Sequence, residues 1–244
     1  MKLFFLILKI KIYLPNIKNL KIMSELKLLI KYYNYKILYN IVNKNIITKF
    51  KNYSIEDVKK YIIELVFNYY NLGINIHGDI NIGCMMRSSH QCGCKKFIIF
   101  GKKKYDKRSS VGAQNYIDCH FLINSNLKLI LEKDDYILDE NILYNYIISN
   151  NCFPIFVELD EFSIKVTKKN IKNIITESIR LNLIPLFIYG NETYGIPQNI
   201  LNLRNRLENH CTLELIQRGI MPSYNVSNAL SIISYYVMEV YEEL

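Results

Sequence analysis

The strongest constraint on the fold lies in residues 185–241, which lay out strand, loop, short helix, strand, loop and long helix in close succession. Pro185-Leu186-Phe187-Ile188-Tyr189 is an apolar run of buried-strand length, and it breaks at the glycine-bounded loop Gly190-Asn191-Glu192-Thr193-Tyr194-Gly195. Ile196-Pro197 suits the start of a short helix with proline in its first turn, and residues 212–216 read as a second strand. After a loop over residues 217–225, Val226, Ala229, Leu230, Ile233, Val237, Val240 and Tyr241 recur at the spacing of one buried helical face. Asn225 stands where it can cap that helix. Two such loops at the carboxyl ends of adjacent strands, each leading into a helix, are where open α/β sheets gather backbone N–H groups around a ligand.

The same alternation begins near Leu72. Residues 74–80, 96–100, 121–123 and 155–158 read as strands, and residues 139–149 and 168–181 as helices, which predicts a mostly parallel sheet with helices on both faces. Before it, residues 24–71 carry amphipathic helical runs, with Ser54-Ile55-Glu56-Asp57 as a helix start ahead of Val58, Ile62, Leu65 and Val66. The chain therefore divides into a helical N-terminal extension, 1–72, and an α/β domain, 73–244. The extension has two readings: a grip on a nucleic acid, or a cover over the core. Residues 1–22 are apolar and lysine-rich with no acid before Glu25, yet the run at 3–8 is too short to span a bilayer and Lys9 and Lys11 interrupt it. The expectation is no membrane span and a cytoplasmic chain, with mitochondrial or other organellar targeting by residues 1–22, and Met23 as an alternative start, left open.

The formal net charge of +9 suits a nucleic-acid partner. Much of it, however, follows a general bias toward lysine, asparagine, isoleucine and tyrosine, so that an arginine inside a motif carries more information than a further lysine. The basic residues also cluster: Lys95, Lys96, Lys102, Lys103, Lys104, Lys107 and Arg108 face one acid, Asp106. Of these, Lys102, Lys103, Lys104, Lys107 and Arg108 are the candidate contacts to an RNA backbone. The six cysteines show no small-scaffold disulfide spacing. A zinc site from His90, Cys92, Cys94 and Cys119 or His120 is the sharper alternative, but Cys92-Gly93-Cys94 is tighter than the usual knuckle, so no metal is expected. Gly190 and Gly195 have the glycine spacing of a phosphate-binding loop, yet Ile196-Pro197 stands where that motif needs Lys-Ser/Thr, and nucleotide hydrolysis is unsupported.

Gly190-Asn191-Glu192-x-x-Gly195-Ile196, followed by a second loop ending Ser223-x-Asn225-Val226 and a C-terminal helix, resembles motifs 2 and 3 of the SpoU/TrmH family of RNA ribose 2′-O-methyltransferases, in the knotted SPOUT superfamily. The remaining family motif, Asn-x-Gly-x-x-x-Arg, is matched upstream by Asn81, Gly83 and Arg87. The match departs from the family at Thr193, Tyr224 and Ile216-Gln217. The resemblance covers roughly residues 74–244. It implies a trefoil knot near the C-terminus, S-adenosyl-L-methionine as methyl donor, a tRNA or rRNA substrate and a homodimer, with the apolar segment 235–240 as part of the dimer surface. It further implies Arg87, Asn81, Glu192 and Asn225 as catalytic residues, and Tyr189, Gly190, Asn191, Glu192, Gly195, Ile196, Ile216, Ser223 and Asn225 as the cofactor site. Because a guanidinium is a reluctant base, Arg87 is expected to orient the hydroxyl and stabilise the developing alkoxide. A base-methylating enzyme of the same fold, or an inactive RNA-binding relative, are the alternatives.

Overall fold

The computed structural model describes residues 46–75, 80–122, 138–192 and 195–244, in two compact units, Met1–Asn52 and Tyr53–Leu244. The expectations for residues 1–22 and Met23, for the helical runs over residues 24–45, and for Thr193 and Tyr194 lie outside the described residues. In the first unit, Thr48–Phe50 form a single 3-10 turn.

The second unit opens with helix α1, Ile55–Ile62, started as its sequence predicts by Ser54, whose hydroxyl accepts from the Asp57 amide. Strands β1 (Phe67–Asn75), β2 (Cys94–Gly101), β3 (Asp118–Leu122), β4 (Cys152–Val157), β5 (Ile164–Lys165), β6 (Ile184–Tyr189) and β7 (Cys211–Glu214) follow. They form one sheet in the order β3-β2-β1-β6-β4-β7-β5, with every ladder parallel. The helices between them are α2 (Ile80–Gln91), α3 (Glu140–Ser149), α4 (Lys168–Arg180) and α5 (Gln198–Leu201), and α6 (Val226–Tyr241) follows the last strand. The α/β class and the parallel sheet are those the alternation predicts.

Side chains alternate across the strands and feed two cores. On one face Tyr69, Phe97, Ile99, Ile155, Phe187 and Tyr189 pack with Met85 and Met86 of α2, Ile171 and Ile175 of α4, and Leu230, Ile233 and Val237 of α6. On the other, Leu72, Ile98, Phe100, Phe156, Leu186 and Ile188 pack with Leu143 and Ile147 of α3 and Ile200 of α5. Within the first core lies a polar knot. Asn71, fully buried at the centre of β1, donates through Nδ2 to the hydroxyls of Ser89 on α2 (2.9 Å) and Ser234 on α6 (3.0 Å), and Ser231 donates to Ser88 between the two helices (2.7 Å). Lys168 and Lys172 of α4 pair with Glu243 just beyond α6, at 2.7 and 3.2 Å.

Four expectations are corrected. The strands that carry the two loops, β6 and β7, are not neighbours, since β4 lies between them. The sheet starts at Phe67, so the expected boundary at 72/73 falls inside β1 and residues 67–71 belong to a strand and not to a helical extension. The polar Asn68 and Asn71 obscured it: an asparagine in mid-strand interrupts the hydrophobic run, and the partners of the Asn71 amide nitrogen are two serines from distant helices. The strand then ends at Asn75, short of the expected 74–80 run, and Ile80 begins a helix. Pro197 is the residue before α5, not in its first turn; its φ of −55° still suits the entry.

Candidate functional site

The carboxyl ends of β4, β6 and β7 open onto a cavity of about 390 Å³. Its walls are the loops that leave those strands together with the first turn of α6. That volume is within the range of about 300–1,000 Å³ typical of small-molecule sites.

The loop after β6 is pinched into a tight curl. Asn191 and Gly195 exchange both backbone hydrogen bonds, each at 2.8 Å. A Cβ on Gly190 would lie 2.5 Å from both Gly195 O and Ile196 N, so the two arms of the curl can touch only because a glycine stands there. Gly195 itself has a φ of +64°, and a Cβ on it would come within 2.8 Å of Glu158 Oε2. Glu158 directly follows β4 with its amide bonded to Leu213 O of β7, and its side chain reaches back to accept from Ile196 N at 2.9 Å and Leu159 N at 3.1 Å. The second loop, after β7, is closed by Tyr224, whose hydroxyl donates to Ile216 O at 3.3 Å.

Where the curl meets α6, three segments distant in sequence converge. Glu192 Oε2 accepts from Asn225 Nδ2 (2.9 Å), Val226 N (3.0 Å) and Asn81 Nδ2 (3.3 Å). Asn225 Nδ2 also donates to Asn81 Oδ1 at 3.0 Å. Asn225 Oδ1 turns the other way and caps α6, accepting from Ser227 N at 3.0 Å, Ser227 Oγ at 2.6 Å and Asn228 N at 3.3 Å. The helix cap expected of Asn225 and its place beside Glu192 thus use opposite ends of one amide.

Of the residues expected at the cofactor site, Tyr189, Gly190, Asn191, Glu192, Gly195 and Ser223 line the cavity. Ile196, Ile216 and Asn225 do not, although each is bonded to its rim: Ile196 through its amide to Glu158, Ile216 through its carbonyl to Tyr224, Asn225 through Glu192. Burial against apolar neighbours holds the Tyr189 phenol well above its usual range, so it is a neutral hydroxyl at any physiological pH. Sequence reasoning missed Glu158 and Glu214, which with Glu192 make three carboxylates on the walls of a cavity that no lysine or arginine among the described residues lines. A lone acid at a strand end has no local signature, and only the approach of β4 to the curl reveals Glu158.

Arg87 stands apart. It is exposed on α2, outside the cavity lining, and pairs with no side chain among the described residues. The six residues from Asn81 carry it about 9 Å along the helix and roughly 120° around it. Asn81 therefore bonds to Glu192 and Asn225 and does not hold Arg87 directly.

The basic loop runs on from β2, and Gly83 of α2 lets it pack close: a Cβ there would sit 2.8 Å from Ser110 N and 3.0 Å from Asp106 O. Lys103, Lys104, Lys107 and Arg108 are exposed, Lys102 partly so. Arg108 is not a bare charge. Its guanidinium clasps both oxygens of Asp106, at 2.6 Å for the shortest contact, and holds that carboxyl well down, at about 2. Lys103 Nζ sits 5.3 Å from the Phe121 ring centre. In the segment proposed for a dimer surface, Val237 and Val240 are fully buried in the chain's own core, leaving Tyr235, at 52% exposure, as the large apolar group it presents. No group of His, Cys, Asp or Glu among the described residues is arranged to hold a metal, and no helix among them is long and apolar enough to cross a membrane.

No protein-family model and no curated protein sequence matches the chain. Solved structures do. The TrmH/SpoU tRNA modifying enzyme of A. aeolicus superposes with a TM-score of 0.55 at 15% identity, over 78% of this chain and 85% of that one. A probable methylase family protein from Haemophilus influenzae Rd KW20 gives 0.52 at 16%, over 72% and 67%. An RNA 2′-O ribose methyltransferase gives 0.51 at 13%, over 72% and 57%. At such identities the likeness is one of architecture, and by architecture this chain has the TrmH/SpoU fold.

Proposed function

We propose that the chain is an S-adenosyl-L-methionine-dependent RNA methyltransferase that acts on a ribose 2′-hydroxyl of tRNA or rRNA. One observation carries the reading: Asn81, Glu192 and Asn225, one from each of the three motif segments, bond to one another at the rim of a cavity built by the two glycine-bearing loops. A helix cap alone would account for Asn225, but not for an asparagine and a glutamate from two other segments meeting on its far side.

The cavity fits the donor in size and in the chemistry of its walls. Gly190 and Gly195 both line it without side chains, and the three carboxylates suit a cationic ligand. When bound there, S-adenosyl-L-methionine supplies an electrophilic methyl group on a sulfonium, a leaving group good enough that no metal is required. The backbone around Tyr189, Gly190 and Ile216 would hold the adenosine portion, and Ser223 would bond nearby. Glu192 and Asn225 keep the two loops at one spacing, and the same carboxylate orders the first turn of α6. The ribose hydroxyl must lose its proton as the new bond forms. In this reading Arg87 orients that hydroxyl and stabilises the developing negative charge, passing the proton to a substrate phosphate. Since Arg87 is exposed and outside the cavity of its own chain, a homodimer that closes the site is part of the proposal, as is the C-terminal knot. Lys102, Lys103, Lys104 and Lys107, beside α2, would hold the RNA backbone.

The test is direct. Purified protein, labelled donor and total tRNA or rRNA should yield 2′-O-methylated nucleosides on digestion and mass spectrometry. Methyl groups found on bases and not on ribose would move the reading to the base-methylating alternative, and absence of donor binding would end the enzyme reading altogether.

A further inference from the structure

Glu158 belongs to none of the three motif segments, yet it is the side chain that fastens one loop of the cavity to the sheet. Its backbone is fixed first: the amide donates to Leu213 O, which locks the residue between β4 and β7. From that anchor the carboxylate spans to the neighbouring strand's loop and accepts from the Ile196 amide at 2.9 Å, while its other oxygen takes the Leu159 amide at 3.1 Å. The Ile196 contact is partly buried and joins segments far apart in sequence; the Leu159 contact is local and exposed. Glycine at 195 is what admits the carboxylate, since a Cβ there would meet Glu158 Oε2 at 2.8 Å. Both Glu158 and the curl it fastens line the same cavity.

We infer that Glu158 is a positioning residue for ligand binding: by holding the Gly195–Ile196 turn against the end of β4, it sets the shape of the cavity wall that receives the donor. A charged acceptor on a backbone N–H is the stronger kind of hydrogen bond, and here it restrains a loop that otherwise depends on the Asn191–Gly195 pair at its neck and on Glu192 at its far side. The inference rests on the donor-binding reading of the cavity.

The experiment uses the full chain in three forms, wild type, Glu158→Ala and Glu158→Gln, with S-adenosyl-L-methionine titrated by calorimetry and Ile196 amide exchange followed by NMR. Glutamine keeps one oxygen, enough for Ile196 N but not for Leu159 N as well. The expected result is a loss of affinity of about tenfold or more in Glu158→Ala, most of it restored in Glu158→Gln, with the Ile196 amide losing protection only in the alanine variant. A general loss of stability would not single out that amide, nor be repaired by glutamine. If wild type binds the donor and Glu158→Ala binds it equally well, the inference is wrong while the proposed function stands. If Ile196 protection is unchanged in Glu158→Ala, the fastening itself is wrong. Should wild type not bind the donor, the proposed function falls and takes this inference with it.

Discussion

Replacing Asn225 separates the two tasks its side chain performs. In Asn225→Ala the α6 cap is lost, with its acceptor for Ser227 N and Asn228 N, and so are the Nδ2 bonds to Glu192 and Asn81. The cap is worth about 1 kcal/mol. The two Nδ2 bonds sit at a partly exposed rim, so together they contribute roughly another 1 kcal/mol, toward the low end for hydrogen bonds that include a charged acceptor. Asn225→Ala should therefore cost about 2 kcal/mol, which for a domain of this size lowers Tm by roughly 4–8 °C. Serine is as good a cap as asparagine but cannot reach Glu192 and Asn81 together, so Asn225→Ser should cost about half as much, roughly 2–4 °C. Thermal unfolding followed by circular dichroism measures both. Methyl transfer should divide differently: if the amide's far side serves the site, Asn225→Ser loses turnover nearly as fully as alanine despite its better stability. Equal melting of the two variants would show that the cap contributes nothing, and full turnover by Asn225→Ser would show that the cluster with Glu192 and Asn81 has no part in the reaction.

Replacing Lys102, Lys103 and Lys104 together by alanine should weaken RNA binding and reduce the magnitude of its salt slope by about 2, as the loss of three single-strand phosphate contacts would; an unchanged slope in filter-binding titrations places the RNA elsewhere. Asp106→Asn should act in the opposite sense, because it removes an acid and releases the Arg108 guanidinium from its clasp, and tighter RNA binding at low salt is the readout. Arg87→Ala should leave donor affinity near wild type and slow single-turnover methylation at saturating RNA by roughly a hundredfold, the usual cost of one transition-state electrostatic partner; near-normal rates would remove Arg87 from the chemistry. Burial pushes the Cys152 and Cys211 thiols up to about 12, so at pH 8 both are protonated in the folded chain and should resist thiol reagents, becoming reactive as pH rises toward 12 or as the protein unfolds. Rapid modification of either at pH 8 under native conditions would contradict the packing of β4 and β7.

What could be read from the sequence was what is decided locally. The run ending at Tyr189, the caps Ser54 and Asn225 and the buried face of α6 each announce themselves within a few residues, because capping and amphipathic spacing are short-range physics. The elements that escaped depend on partners far along the chain. β1 reads poorly because Asn71 is acceptable in a core only once Ser89 and Ser234 arrive. β5 is two exposed residues at the sheet edge and carries no pattern at all. The apolar run 235–240 looked like a surface for a partner, whereas Val237 and Val240 are consumed by the chain's own core. At the site, the resemblance placed Asn81, Glu192 and Asn225 in one group and hydrogen bonds join them in the fold; Arg87, named with them, is separated by the helical geometry of α2.

Asn71 reaches one helix on each side of itself, and it does so at matched depths. From Ser89 back to Asn81 is about 12 Å along α2, and from Ser234 back to Asn225 is about 13.5 Å along α6. The two helices are thus referenced to a common datum in the middle of the sheet, like rules clamped at one mark, and their starts come out level at the rim where the two asparagines meet. Sliding either helix by a turn would shift its start by about 5.4 Å, more than a hydrogen bond can bridge, and would also strand a buried amide. An insertion or deletion of one residue between datum and rim would swing the asparagine by about 100° away from its partner. The length of these two stretches is therefore under tighter constraint than the identity of most residues within them.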